Sequence, residues 1–375
     1  MDRKIAYILL NMIPEIGPTR FKNIYLHFNG KIESLFDANI DEISNIEDIG
    51  ENIAQKILSA KNNIDIEKEL KLIEKYNVRV ITFDDEEYPL PLRGINFPPF
   101  VLYVRGEFKE KDNIAIAVVG TRRPSSYGCI VAEKIVKDLV DCDITIVSGL
   151  ARGIDTQAHR TAISCKGRTI AVLGNGIDVY YPPENRKLQD TIPSYGAIIT
   201  EFPMSTPPNK SNFPQRNRLI AGLALGVLVV EADIKSGALI TAKYSIEQGK
   251  DVFAVPGSIL STLSRGPHML IKQGAKLVET AEDIIEEISP LREFVKQSLK
   301  RKKEQVSDTA TVPLSEDERK VFEIFPETAV NLEFLIEASK VEISRLMEIL
   351  LSLEMKGFIK ALPGKMYQRT TAATT

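Results

Sequence analysis

The densest chemistry in this sequence lies between residues 120 and 218. Gly120-Thr121-Arg122-Arg123-Pro124-Ser125-Ser126-Tyr127-Gly128 joins a glycine turn, two guanidinium groups and hydroxyl residues able to cap a helix. Exposed backbone N–H groups, a positive helix end and bidentate donors are what a phosphate needs. Ser148-Gly-Leu-Ala-Arg152-Gly153-Ile-Asp155 repeats the scheme with one arginine. In a third stretch, Lys210, Phe213, Pro214, Arg216, Asn217 and Arg218 surround the start of the apolar run LIAGLALG. Pro214 favours a first-turn position, which predicts a helix starting there with Phe213 just outside it. A basic cluster with one interleaved aromatic suits a single nucleic-acid strand, with cations for the phosphates and a flat ring to stack a base. The ring has a second reading, a hydrophobic staple onto its own helix, and both stay open.

Other constellations are weaker. Gly174-Asn175-Gly176 starts like a dinucleotide loop, but the last glycine of G-x-G-x-x-G is replaced by Val179, and no Walker A sequence occurs. Asp155 and His159 stand four residues apart on one helix face, a metal-pair spacing, yet the chain has only His27, His159 and His268. A hydrogen bond on the helix face, supporting the Arg152 loop, is the expected role. Ser148 lacks a G-x-S-x-G elbow, so a hydrolase triad is rejected. Glu201, Glu231 and Glu247 fall near strand ends or on helices and could act as acid and base. They sustain an alternative reading, a nucleotide-hydrolysing enzyme of the nucleoside monophosphate phosphoribohydrolase kind. No catalytic residue, metal ligand or cofactor is assigned.

These loops need a frame. From residue 114 the apolar runs IAIAVVG, DITIVSG, RTIAVLG, GAIITE, GVLVVEA and DVFAVPG alternate with helical segments. Continuous Ile/Val runs mark strands buried on both faces, and the alternation predicts a doubly wound, extended Rossmann-like parallel sheet. Two strands near 78–106 should widen it. In such sheets ligands sit beyond the carboxyl ends of the strands, where the loops above fall. Before the core, residues 1–62 read as short helices with the phrases Ile13-Pro-Glu-Ile-Gly17 and Ile46-Glu-Asp-Ile-Gly50. The second has a helix-hairpin-helix layout, although Glu42, Glu47, Asp48 and Glu51 favour a plain helical corner over a phosphate contact. After the core, 291–312 reads as a helix end and linker carrying the basic run Lys300 to Lys303. Three amphipathic helices and a hairpin at Pro363-Gly364 then predict a winged helix. The domains expected are therefore 1–62, 63–290, 291–312 and 313–372. A transcription-regulator reading of the winged helix is weakened because the helix near 341–357 carries Glu342, Glu348 and Glu354 against Arg345 and Lys356, so a protein contact fits it better.

Composition sets outer limits. Lys and Arg total 48 against 51 Asp and Glu, so any polyanion site must be a local patch. Cys129, Cys142 and Cys165 are scattered without a CxxC pair, which argues against a disulfide framework or zinc knuckle and for a reducing compartment. The apolar stretch at the N-terminus is too short to span a membrane, and nothing targets the chain elsewhere, so a cytoplasmic protein is expected.

Several phrases occur together in one order: Val119-Gly-Thr-Arg122, Ser148-Gly-Leu-Ala-Arg-Gly-Ile-Asp155 and Ile170-Ala-Val-Leu-Gly-Asn-Gly-Ile-Asp178. Further along come Phe213-Pro-Gln-Arg-Asn-Arg218, Ser236-Gly-Ala-Leu-Ile-Thr-Ala242 and Val252-Phe-Ala-Val-Pro-Gly257. In these the chain resembles the DprA (Smf) DNA-processing family, and the resemblance spans most of 78–280. It implies a non-enzymatic, homodimeric protein of natural transformation (competence) and DNA recombination. Such a protein protects incoming single-stranded DNA and helps load the recombinase RecA. It also implies that Gly120, Thr121, Arg122, Lys210, Phe213, Arg216 and Asn217 line the DNA pocket. The residue chemistry adds Arg123, Arg152 and Arg218 to the candidates.

Overall fold

Strand order explains where the loops meet. The structure, a computed structural model, describes residues 1–308, 314–326 and 328–370, and of 299–308 only the helical backbone. It divides into two compact units, Met1–Lys296 and Gln297–Thr375.

In the first unit the described residues form a nine-stranded sheet: β1 (Arg79–Thr82), β2 (Val101–Gly106), β3 (Ala115–Val119), β4 (Thr145–Ser148), β5 (Thr169–Val172), β6 (Gly196–Thr200), β7 (Gly226–Val229), β8 (Asp251–Ala254) and β9 (Lys276–Leu277). Their order is β1-β2-β6-β5-β4-β3-β7-β8-β9. From β6 to β9 every pairing is parallel, whereas β2 pairs antiparallel with both β1 and β6. The expected doubly wound α/β core is present, widened by the two expected strands. Only β9 escaped the sequence, because two residues show no period.

The chain lays β3 to β6 outward in one direction and then returns to place β7 on the other side of β3. That reversal opens a crevice at the carboxyl ends of β3 and β7, the switch point of the sheet. Alternation along each strand feeds two core layers: Ala115, Ala117 and Val119 face one, Ile116 and Val118 the other.

Residues 3–75 are helical in short pieces, and Ile8, Phe21, Ile24 and Ile57 share one core with Val101 and Tyr103 of β2 and Ile198 of β6. The corner at Gly50 is tied down from within, Arg20 Nε donating to the Asp48 carbonyl at 2.8 Å and Asn23 to that of Glu47 at 3.0 Å. Glu51 occupies the first turn beyond Gly50.

The stretch read as a linker is mostly helix, Ser289–Asp308. Its run of Leu, Lys, Arg, Glu and Gln contains neither Gly nor Pro between residues 291 and 312, so intrinsic propensity carries the helix through polar sequence. The side chains of Lys300 to Lys303, and residues 309–312, lie outside the described residues.

The second unit is the expected winged helix. Helices Glu316–Glu323, Leu332–Ser339 and Ile343–Met355 precede strands β11 (Ile359–Leu362) and β12 (Met366–Arg369), with the short β10 (Val330–Asn331) on the other side of β12. Val321, Phe325, Leu335, Leu346, Leu350 and Leu353 form its core. Among the described residues no helix is long and apolar enough to cross a membrane.

Candidate nucleic-acid interface

The loops after β3, β4 and β7 are laced together by backbone bonds. Thr121 N donates to the Glu231 carbonyl at 2.6 Å, and Ile154 N to the Thr121 carbonyl at 3.2 Å. Gly153 sits at φ 78°, and a Cβ there would strike the Thr121 carbonyl, so only glycine permits this approach.

The helix that follows β3, Ser126–Asp141, is capped by Ser125, whose Oγ accepts from Gly128 N at 3.1 Å. Glu231 then closes that end: its carboxylate accepts from Ser125 N at 2.9 Å and Ser125 Oγ at 2.6 Å. In a dinucleotide fold this helix start receives the pyrophosphate. Here the protein's own buried carboxylate stands in its place.

The Arg152 loop is braced differently. Asp155 accepts from Gly149 N at 3.1 Å and Ala151 N at 3.4 Å, steadying Leu150 at φ 55°. Burial lifts the Asp155 pKa, opposed by the Arg216 charge. His159 Nδ1 instead meets Thr169 Oγ1 of β5 at 2.7 Å. Burial, reinforced by Arg216, lowers its pKa to about 3, so the ring is neutral. Asp155 thus supports the loop as expected, but the Asp155–His159 bond does not form. Among the described residues no group of three or more His, Cys, Asp or Glu could hold a metal ion.

Two further helices start at this crevice, Asn212–Leu223 and Ala238–Glu247, both without an acidic first turn and without a cap bond from the N-cap side chain. Their first N–H groups are met locally, Ala238 N by Ser236 Oγ at 3.3 Å and Asn212 N by the Asn209 carbonyl at 3.1 Å. Asn217 pins them together, its Nδ2 donating to the Gly237 carbonyl at 3.2 Å. Lys250 closes the far end of the first helix, donating to the carbonyls of Ala221 at 2.9 Å and Gly222 at 2.6 Å, and its burial lowers its pKa to about 8. The positive ends of both dipoles face a cleft of about 690 Å³ lined by Thr121, Arg122, Lys210, Phe213, Lys235 and Ser236.

The sequence candidates divide sharply. Gly120, Thr121, Arg122, Lys210, Phe213, Arg216 and Asn217 all border this cleft. Arg122 and Lys210 are exposed, and their side chains make no hydrogen bond or ion pair with the described residues. Arg216 is different. Its guanidinium turns inward, donating to the carbonyls of Gly149 at 2.6 Å and of Val172, so it ties the ends of β4 and β5. A Cβ on Gly149 would lie 2.6 Å from that guanidinium. Full burial lowers the Arg216 pKa to about 10, offset partly by Asp155. Arg218 points away from the cleft into a buried ion pair with Glu201 at 2.5 Å. Arg123 is exposed but does not line the cleft. Arg152 is exposed and paired with Glu184.

The helix starts at Asn212, two residues earlier than expected, so Phe213 lies within its first turn. Pro214 is tolerated there because first-turn N–H groups have no intrahelical partner. The half-buried ring does not fold back as a staple. It backs onto Gly174, stacks on Tyr181 at 5.4 Å between centroids and 27°, and carries the Arg122 guanidinium 5.6 Å from its centroid.

None of the three carboxylates considered for acid–base chemistry is free in the cleft. Glu201 is held by Arg218, Glu231 caps Ser125, and Glu247 lies exposed beside Lys243 at 3.6 Å. Sequence reasoning missed Lys235 and Ser236, which the loop after β7 delivers to the cleft, and Tyr181. The position of that loop after a strand run was the available signal.

The family model for DNA recombination-mediator protein A matches residues 79–289, and the DprA winged helix domain matches 305–365. Protein Smf of Escherichia coli is 39% identical over 319 residues, 83% of this chain and 82% of that protein. DNA processing protein DprA of Streptococcus pneumoniae is 46% identical over 203 residues, 54% of this chain and 72% of the relative. The X-ray structure of DprA from that organism superposes with a TM-score of 0.67 at 35% identity, covering 76% of this chain and 98% of the other. Motifs, fold and similarity agree: the chain belongs to the DprA (Smf) family of DNA-processing proteins.

Proposed function

We propose that this protein binds single-stranded DNA in the switch-point cleft without catalysing a reaction on it. In this reading it acts in the cytoplasm as a homodimer, protecting strands taken up during natural transformation and helping to load RecA. The observation that carries the reading is that two cations without an ion pair to the described residues, Arg122 and Lys210, line the cleft together with the half-buried Phe213 ring, over which Arg122 lies. Cations for phosphates beside an aromatic face for a base form a single-strand platform, and the positive dipole ends of two helices add to its attraction for phosphate. The engaged state of Glu201, Glu231 and Glu247 speaks against the nucleotide hydrolase.

The test compares mobility shifts on single-stranded and duplex oligonucleotides with a strand-exchange assay in which RecA must displace a single-strand coating protein. Preference for the single strand and stimulation of exchange, both lost with Arg122→Ala plus Lys210→Ala, are expected. Equal affinity for duplex, or release of phosphoribose from a nucleoside monophosphate, would refute the reading.

A further inference from the structure

The helix Ile343–Met355 carries two apolar faces. Leu346, Ile349, Leu350 and Leu353 are buried in the core of the C-terminal unit. Ile343, Met347, Leu351 and Met355 recur every fourth residue on another side and are 55%, 44%, 59% and 82% exposed. On a helix of 3.6 residues per turn this spacing makes one slowly winding stripe about 18 Å long. Scattered exposed apolar residues are ordinary, whereas an ordered row of four marks a contact surface.

Charge around the stripe decides what it contacts. Glu342, Glu348 and Glu354 are exposed along this helix, and Glu354 is fixed by accepting from Ala361 N at 3.0 Å. The two cations on this helix and at its end are spent within the unit. Arg345 is held by Asp317 at 3.3 Å and Glu348 at 2.8 Å, and Lys356 by Glu318 at 2.6 Å. A helix that enters a DNA groove must meet phosphates with unpaired cations. This one would meet them with carboxylates and hydrocarbon.

We propose that this stripe is a docking surface for a basic amphipathic helix of a second protein. The partner lays its apolar side along Met347 and Leu351, and its Lys or Arg residues flank Glu348 and Glu354. Anchors at helical spacing are the mark of helix-to-helix recognition, and two methionines let the surface adapt to its partner. The inference does not depend on how the cleft of the first unit binds DNA.

The experiment titrates the full chain into two labelled helical peptides that share one Leu/Ala face, one flanked by Lys and Arg and the other by Glu, read by fluorescence anisotropy. The basic peptide binds saturably and more weakly as salt rises, and the acidic one does not bind. Met347→Lys with Leu351→Lys weakens the basic peptide by about tenfold or more while leaving the thermal melt unchanged, because both side chains are exposed. Glu348→Lys with Glu354→Lys weakens it as well. Four results overturn the proposal: no binding of the basic peptide; equal binding of the acidic one; indifference to the Met347 and Leu351 substitutions; or cross-linking of a DNA oligonucleotide to the stripe. Concentration-dependent self-association abolished by the same substitutions would also overturn it, by assigning the stripe to a second copy.

Discussion

Salt dependence of single-strand binding separates the cations that touch phosphate from those that hold the fold. Each phosphate neutralised on a single strand adds about 0.7 to the magnitude of the log–log salt slope. The sequence offered six cations, Arg122, Arg123, Arg152, Lys210, Arg216 and Arg218, which would give a slope of about −4.2. In the structure Arg216 and Arg218 are buried, Arg152 is paired with Glu184, Arg123 does not line the cleft and Lys235 does. If only the cleft-lining Arg122, Lys210 and Lys235 meet phosphate, the slope is about −2.1. Affinity for a homopolymer strand should then fall about 18-fold between about 50 and 200 mM salt, rather than about 340-fold. Arg122→Ala with Lys210→Ala should leave a slope of about −0.7 and a fall of only about threefold. Anisotropy titrations at four salt concentrations measure all of this. A wild-type slope near −4 would show that the inward arginines do reach the strand, and a slope unchanged in the double variant would place the DNA elsewhere.

Phe213→Ala should cost about 1–3 kcal/mol of single-strand affinity, and about 2 kcal/mol of stability because its ring is only half-buried. An unchanged dissociation constant in a destabilised protein would refute stacking, and Phe213→Tyr should preserve binding. Arg218→Ala strands the Glu201 carboxylate in a buried site, so the denaturant midpoint should report a loss of about 3–5 kcal/mol, with the affinity of the folded fraction for DNA unaltered. A loss below about 1 kcal/mol would contradict the buried pair. In the winged helix, bonds from Lys356, Ser352 Oγ and Ser315 N depress the Glu318 pKa to about 2. A depressed carboxylate contributes stability above its ordinary value and loses it on protonation, so this unit should weaken as pH falls from about 4.5 towards 2. Glu318→Gln should flatten that window, and acid melts of the two proteins would reveal an unchanged slope if the bonds matter little.

The fold was legible because its signal is repeated. Each strand of the parallel core is an unbroken Ile, Val or Ala run, and the order of loops follows from the strands without side-chain detail. The direction in which a loop residue points was not legible. Arg122, Arg216 and Arg218 look alike in sequence, and helical periodicity should separate the last two. It fails because the helix from Arg216 to Leu223 is buried all round, wedged between the sheet and its neighbours, so no solvent face exists to register against. What distinguishes these arginines is carbonyl and carboxylate partners contributed by distant strands, Gly149 and Val172 for one and Glu201 for the other.

The same reasoning explains why a phosphate-binding fold need not bind a nucleotide. A glycine turn before a helix, as at residues 120–128, signals an anion site only while the helix end is vacant. Glu231, more than a hundred residues downstream, supplies the anion internally through Ser125. That leaves the positive potential of the crevice to the dipoles of the helices starting at Asn212 and Ala238, and to the cations Arg122, Lys210 and Lys235 that line the cleft with them. At Ala238 too the first N–H groups are met from within, by Ser236 Oγ at 3.3 Å and by the Ser236 carbonyl, so the start of that helix is no pyrophosphate cradle either. The cations Arg122, Lys210 and Lys235 border the cleft without an ion pair to the described residues, which is what the proposed single-strand site would use.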